Sequence, residues 1–222
     1  MRGRYPTDEI PRWLPARRSA RFAGRSAPAP VARRRAPSAS AALASLDGVE
    51  IRLFGDPVLR SKAAEVTQID GSVARLCDGM FTTMYAARGI GLAAPQVGVR
   101  KRLFVYDEPE TCGRGVILNP VLADSDGTWM FEEGCLSVPG YSWQIERPRR
   151  VALSGIDLNG NEVTVEADDL FARLIQHEID HLDGVLLTER LDDDQRRAAL
   201  SELRRRGVGA QGGGLFPSLG AE

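Results

Sequence analysis

The segment 170–184, LFARLIQHEIDHLDG, constrains this chain more than any other stretch because it contains an HExxH motif. His177 and His181 are four positions apart, which places both imidazoles on one face of an α-helix. Two nitrogens on one face can bind one divalent metal ion, with Glu178 beside them as a candidate general base. The chain has no other histidine. The motif alone also fits a solvated helix face, so the other segments must decide.

A third metal ligand is the next question, since catalytic zinc-type sites have three protein ligands and one open position. One HExxH peptidase class continues to a third histidine, but Leu187 occupies that position here. A second class uses a glutamate from a later helix; Glu202 is the candidate, in the basic segment LSELRRRG. The third alternative is a thiolate, and Cys135 stands out in EEGCLSVPG because Gly134 permits close backbone approach.

The three cysteines lack regular spacing, which argues against a disulfide scaffold and for a reducing compartment. Cys77 lies beside an apolar stripe and is predicted to be a small buried hydrophobic residue. Cys112 falls in the loop EPETCGRG and is predicted to be exposed. Either one could close a structural zinc site in a non-catalytic binding module, which needs a fourth protein ligand.

Composition predicts one folded domain between two tails. Residues 1–46 carry ten arginines against Asp8 and Glu9 and have no apolar periodicity, which predicts a disordered extension. The same composition resembles an organellar transit peptide, although the arginine bias of the whole chain favours a plain extension. We expect the folded domain at 47–207 and a flexible glycine-rich tail at 208–222. No stretch approaches eighteen consecutive apolar residues, so no membrane span is predicted.

Short strands and three helices are expected inside this domain. Apolar residues recur at intervals of three and four from 71 to 88, which predicts an amphipathic helix. Asn159-Gly160 indicates a hairpin turn, and Asp168 or Asp169 can cap the motif helix. The predicted strands are 49–53, 102–106, 116–122, 128–131, 150–157 and 162–166, together with a strand entering a turn at 136–139.

The segment 89–98, GIGLAAPQVG, follows the first helix directly. Its glycines and alanines indicate a backbone that another group approaches closely. Neither phosphate-binding glycine pattern is present, which argues against a nucleotide loop. Gln96 carries a neutral amide that can donate a hydrogen bond to a developing oxyanion.

Three stretches, GIGLAAPQ, EGCLS and QHEIDH, resemble in that order the three signature motifs of the peptide deformylases. The resemblance covers residues 49–191. It implies an α+β fold in which small antiparallel β-sheets pack around a central HExxH helix, with a C-terminal helix after it. It also implies metal-dependent hydrolysis of the N-formyl group from the formyl-methionine of newly synthesised proteins, with release of formate. A non-catalytic metal-binding module and an HExxH metallopeptidase are the alternatives.

The resemblance also implies a role for each motif residue. Glu178 would transfer the proton, and the Gln96 amide and the Leu136 N–H would meet the oxyanion. Ile90 and Gly91 would line the peptide cleft, and Leu174 or Phe131 would contribute to a methionine pocket. The metal ligands implied are Cys135, His177 and His181. Ligand softness alone suggests Zn(2+), whereas the resemblance implies Fe(2+), with one ion per chain.

The implied partners are nascent formyl-methionyl peptides and the ribosome. The C-terminal helix begins with acidic residues at 192–194 and ends with arginines at 204–206, an order that suits the helix dipole. A solvated helix that stabilises itself is the simpler interpretation; alternatively, its arginines contact ribosomal RNA through charge that does not depend on sequence. We expect the bacterial cytoplasm as location, or a mitochondrion or plastid if residues 1–46 are a transit peptide. The sequence does not specify an oligomeric state.

Overall fold

The computed structural model describes residues 49–109 and 113–205. Predictions for residues 1–46, for Cys112 and for the tail at 208–222 lie outside these ranges. The strands are β1 (Gly91–Ala93), β2 (Leu103–Glu108), β3 (Gly113–Asp126), β4 (Trp129–Gly134), β5 (Ser142–Arg147), β6 (Arg150–Ile156) and β7 (Glu162–Asp168). The α-helices are α1 (Gly71–Ala86), α2 (Asp169–Asp183) and α3 (Asp193–Arg205), and single 3₁₀ turns lie at Pro57–Arg60, Ala94–Val97 and Leu187–Arg190.

Two antiparallel sheets organise the described chain. Five strands form one sheet in the order β1-β2-β3-β6-β7, and β4 and β5 pair as a separate hairpin. β6 and β7 are joined at the predicted Asn159-Gly160 turn, where Gly160 has a φ of 83°. This arrangement confirms the α+β class. No helix in the described ranges has an apolar stretch long enough to cross a bilayer.

The five-stranded sheet is covered by α1 on one face and by α2 on the other. Side chains alternate along β2, so Leu103 and Val105 face α1 whereas Phe104 faces α2. Each fully buried side chain of this kind contributes about 1.5–3 kcal/mol of hydrophobic free energy. The α1 core includes Val73, Cys77, Met80, Met84, Leu92 and Leu118; the α2 core includes Ile117, Leu153, Phe171, Ile175, Ile179 and Leu182.

The motif helix α2 begins and ends close to the predicted positions. Asp168 occupies the N-cap position, but its side chain makes no capping hydrogen bond. Asp169, the first helical residue, has a φ of 45° and pairs instead with Arg149 at 2.7 Å. Gly184 ends the helix with a φ of 75°, a left-handed conformation that glycine adopts without strain.

Two strand predictions were wrong, and both segments lie beside residues of the candidate active site. The segment 49–53 is extended but joins no sheet. Its hydrogen bonds go to loops instead, from Arg52 N–H to the Gln96 carbonyl at 2.7 Å and from Phe54 N–H to the Ser137 carbonyl at 2.8 Å. The segment 136–139 is a turn, closed by the Val138 N–H donating to the Cys135 carbonyl at 2.9 Å. Strand β5 was not among the strands predicted from the sequence.

The C-terminal helix α3 docks on a third, smaller core. Its apolar stripe is narrow, with Ala199 and Leu203 buried. Ala199 packs with Leu187, Leu191 and Ile145, which lies in β5. The helix is therefore attached to the hairpin side of the domain.

We expect Gly184→Ala to destabilise the domain more than Gly160→Ala. Both glycines are left-handed, so alanine costs about 1–2 kcal/mol at either position. Only at Gly184 would the new Cβ also lie 2.7 Å from the backbone carbonyl of Arg60, which should add about 1–3 kcal/mol. The measurement is the free energy of unfolding in urea. Equal losses in the two variants would contradict this account of the helix end.

Candidate metal centre and active site

Three potential ligand atoms converge between α2 and the turn after β4. The Sγ of Cys135 lies 3.2 Å from Nε2 of His181, which in turn lies 3.2 Å from Nε2 of His177. In the part of the chain described, these residues form a group whose ligand atoms all lie within 4.8 Å of one another. The alternative ligand Glu202 is absent from this group and lies on α3 beside Trp143.

The chemistry of this donor set fits a divalent transition metal. Burial acts to raise the pKa of the Cys135 thiol, but the two imidazoles outweigh it and hold that pKa well below its usual range. One thiolate and two imidazole nitrogens suit zinc or ferrous iron, and three protein ligands leave one coordination position open. The set therefore matches a catalytic centre better than a closed structural site.

Two donors, one from the Cys135 turn and one from the turn at Ala94–Val97, point at the sulfur of Cys135. The Ser137 N–H lies 3.4 Å from Sγ, and the Gln96 amide nitrogen lies 3.7 Å from it. Gln96 is oriented by its own oxygen, which accepts a hydrogen bond from the Ala93 N–H at 2.8 Å. The NH₂ group of Gln96 therefore faces the ligand cluster, where it also contacts Ser137 Oγ at 3.3 Å.

Glu178 is buried next to the cluster, and its pKa is raised to about 7 by burial, against the lowering influence of both imidazoles. Its Oε2 has no hydrogen-bond partner among the described residues. Gly91 makes room for this carboxylate, since a Cβ at Gly91 would lie 3.0 Å from Glu178 Cδ. The glycine predicted to bind substrate is thus in contact with the predicted base.

Among the described strands, β1 lies at the edge of its sheet, beside this carboxylate. β1 is the terminal strand of its sheet, and Asp107 N–H donates to the Ile90 carbonyl at 2.9 Å. Because backbone groups alternate along an antiparallel strand, Gly91 directs its N–H and C=O away from β2. An extended peptide can pair with such an edge.

Three apolar side chains of the segments that carry the site are exposed. Ile90, Phe131 and Leu170 are each about 40% exposed, with values of 41%, 41% and 40%. Leu170 lies two turns before His177 on α2, on the same side of the helix. Leu174, the other predicted pocket residue, is instead buried in the core between α2 and the sheet.

Glu133 is a residue of the site that the sequence did not reveal. Its Oε1 accepts a hydrogen bond from His177 Nδ1 at 2.6 Å, which directs the Nε2 lone pair at Cys135 and His181. Arg147 donates to both oxygens of Glu133, at 2.6 and 2.8 Å. Burial acts to raise the Glu133 pKa, but these hydrogen bonds hold it far below its usual range. The sequence feature that could have indicated this role is a carboxylate placed two residues before the candidate ligand Cys135.

An inward-facing HExxH helix with a thiolate and a buried glutamate defines a metal-dependent hydrolase. Residues 49–197, more than half of the chain, match the sequence model of the polypeptide deformylase family. The chain belongs to this family. It acts on nascent formyl-methionyl peptides and removes their N-formyl group.

Known relatives cover the same domain. A peptide deformylase of Thermodesulfovibrio yellowstonii is 48% identical over 151 residues, 67% of this chain and 92% of the relative. Peptide deformylase 1 of Corynebacterium glutamicum is 51% identical over 158 residues, 70% of this chain and 94% of the relative. The crystal structure of the Ehrlichia chaffeensis peptide deformylase in complex with actinonin aligns with a TM-score of 0.67 at 40% identity, covering 71% of this chain and 96% of that one.

We expect Cys135→Ser to lose most of its bound metal, because a hydroxyl is a weak ligand at neutral pH. Cys77→Ser is the control: Cys77 is buried in the α1 core, away from the ligand group. Metal content of the purified, folded variants is measured by elemental analysis. Normal metal content in Cys135→Ser, or equal loss in Cys77→Ser, would contradict the ligand assignment.

Proposed function

We propose that Cys135, His177 and His181 bind the catalytic metal and that formyl-methionyl peptides are hydrolysed there with Glu178 as the proton carrier. The observation that carries this proposal is the position of Glu178. Its buried carboxylate lies beside three converging ligand atoms and keeps one oxygen without a partner among the described residues. A carboxylate in that setting is available to a reacting water molecule.

The proposed ion is Fe(2+), one per chain, with Zn(2+) as the alternative. When bound, such an ion supplies Lewis acidity, which makes water more acidic and the formyl carbonyl more electrophilic. The thiolate and imidazole set suits either ion. Elemental analysis of protein purified without oxygen distinguishes them: iron at one equivalent supports the proposal, and zinc alone favours the alternative.

Glu178 accepts the proton of the attacking water and later donates it to the departing amine nitrogen. The second step is required because the leaving group would otherwise be an amide anion. Burial keeps the carboxylate out of bulk water, so the proton stays in the site between the two steps. The absence of a side chain at Gly91 keeps Glu178 in this position.

Two neutral donors stabilise the oxyanion in the proposed site. The Gln96 NH₂ group faces the cluster because its oxygen is held by Ala93. The Leu136 N–H belongs to the residue that directly follows Cys135. Neutral donors add no charge to the site, and losing one such donor typically costs about 10²–10³ in turnover.

The peptide binds as an added strand along the free edge of β1. Gly91 supplies the backbone N–H and C=O, and the exposed side chains of Ile90, Phe131 and Leu170 contact the methionine side chain. An apolar, unbranched side chain suits a wall of this kind. The formyl group then lies towards the ligand atoms, because Gly91 is in contact with Glu178.

We expect Glu178→Ala to keep its metal while formate release from a formyl-methionyl peptide falls by about 10²–10⁴-fold or more. Glu146→Ala, which removes a carboxylate from β5, is the control and should retain full turnover. Formate release and metal content are measured on the same samples. Near-normal turnover of metal-loaded Glu178→Ala would rule out this role, and no release by the wild-type protein would rule out the proposed reaction.

We also infer that α3 contacts the ribosome through its arginines. Arg197 and Arg205 are exposed, and within the described ranges they pair with carboxylates of the same helix, Asp194 and Glu202. Exposed pairs of this type are weak, so both guanidinium groups can exchange partners for phosphate. The apolar side of α3 is used for docking on the domain, which leaves its charged side outward.

We expect ribosome binding to weaken when Arg197, Arg204 and Arg205 are changed to Gln, with the salt dependence reduced by about one unit of slope per arginine. The control changes three exposed arginines elsewhere, Arg114, Arg149 and Arg150. Co-sedimentation with ribosomes at several salt concentrations is the measurement. Formate release from a short peptide should be unchanged, and equal binding by both triple variants would contradict a role of α3.

The proposed organisation is an N-terminal extension at 1–46, the hydrolase domain at 47–207 and a glycine-rich tail at 208–222. The family match at 49–197 supports the central segment. We infer the bacterial cytoplasm as location, with a mitochondrion or plastid as the alternative. Bacterial relatives support the first location. Fusing residues 1–46 to a fluorescent protein in eukaryotic cells tests the second.

A further inference from the structure

Arg173 is a buried arginine on α2, one turn before His177, that the proposed chemistry does not use. It is 3% exposed. A buried guanidinium is costly unless charge and hydrogen bonds compensate it. Arg173 donates through Nη1 to Glu133 Oε2 at 2.7 Å and through Nη2 to the Trp129 carbonyl at 2.6 Å.

Glu133 links this arginine to the metal centre. Each of its oxygens accepts two hydrogen bonds: Oε1 from Arg147 and His177, Oε2 from Arg147 and Arg173. A carboxylate whose acceptor sites are filled in this way has a fixed orientation. His177 must therefore carry its proton on Nδ1 and present Nε2 to the ligand cluster.

The same guanidinium lies against two aromatic rings. Its Cζ is 5.0 Å from the centre of the Trp129 ring and 5.7 Å from that of Phe131, and the two rings are 4.5 Å apart. Trp129, Phe131 and Glu133 alternate along β4, so their side chains leave the same face of the strand. Arg173 thus contacts both Glu133, which orients His177, and the exposed aromatic ring of Phe131.

We propose that Arg173 is a positioning residue that holds Glu133 against His177 and Phe131 against the substrate side chain. Arg173 thereby fixes the metal ligand His177 relative to Phe131, the proposed contact of the substrate side chain. This inference rests on the proposed function, because it takes His177 as a ligand and Phe131 as part of the methionine site. A purely structural ion pair would hold β4 on α2 without affecting metal affinity.

The test uses the full chain and Co(II) as the metal probe. Arg173→Met removes the hydrogen-bond donors while it keeps a side chain of similar length. Arg173→Lys keeps the positive charge but loses the planar, two-pronged donor geometry of the guanidinium group. We expect the Co(II) affinity of Arg173→Met, measured by chelator competition, to fall about 10–100-fold, as for other residues that orient a metal ligand. The thiolate-to-cobalt absorption band should shift, and Arg173→Lys should restore part of the affinity.

Arg102→Met is the matched control. Arg102 is also largely buried, and it binds the Pro120 carbonyl and the Asp183 carboxylate at the far end of α2. It should lose stability without a change in Co(II) affinity. Wild-type affinity and spectrum in Arg173→Met, or an equal loss in Arg102→Met, would overturn the proposal. If Arg173→Met does not fold, Arg173→Lys decides: reduced affinity supports the proposal and unchanged affinity overturns it.

A double-mutant cycle with Glu133→Gln tests whether Arg173 acts on His177 through Glu133. If Arg173 acts through Glu133, the losses of Co(II) affinity in the two single variants will not add in the double variant. Additive losses would overturn the coupling. On cobalt-saturated enzyme, Arg173→Met should raise KM for a formyl-methionyl peptide at least as much as it lowers kcat. Because Co(II) affinity is measured without substrate, a wild-type protein that binds metal but releases no formate would refute the proposed function and leave this coupling intact.

Discussion

The structure depends on the way α2 divides its surface between apolar and polar partners. One side of the helix buries Phe171, Ile175 and Ile179 against the five-stranded sheet, and this burial fixes the helix in place. His177 and His181 leave the helix on another side, towards the turn of Cys135, and Glu178 lies between the two sides. Because the apolar side supplies the free energy of docking, the proposed ligands need not contribute to it.

Buried charge is the second feature on which the site depends. Glu133 and Asp180 are compensated by Arg147, Arg173 and Arg190, a set that joins β4, β5 and α2. Such a network stabilises a fold little, because desolvation offsets much of the attraction between the charges. The network instead fixes the orientation of the carboxylates, because each of them is held by several donors. One of them, Glu133, in turn orients the ring of His177 through the hydrogen bond to Nδ1.

The site also depends on segments without regular structure. The extended segment before Gly55 donates one backbone hydrogen bond to the loop of Gln96 and another to the turn of Cys135. These two bonds tie together the loops that carry the proposed oxyanion donors. Gly91 contributes by lacking a side chain, since any Cβ would meet Glu178. Loops of this kind place polar groups accurately because the sheet and both helices hold their ends.

The sequence by itself determined the chemistry of this protein. HExxH spacing predicted from helical periodicity alone that His177 and His181 share one helix face with Glu178 beside them, and the glycine-flanked Cys135 was the leading candidate for the third ligand. The helices and most strands followed from local apolar patterns, although β5 and the status of residues 49–53 did not. Tertiary structure alone decided that Glu133 orients His177, that Leu174 belongs to the core and that Leu170 is exposed. These contacts join residues tens of positions apart, and no local periodicity encodes which strand face meets which side of α2.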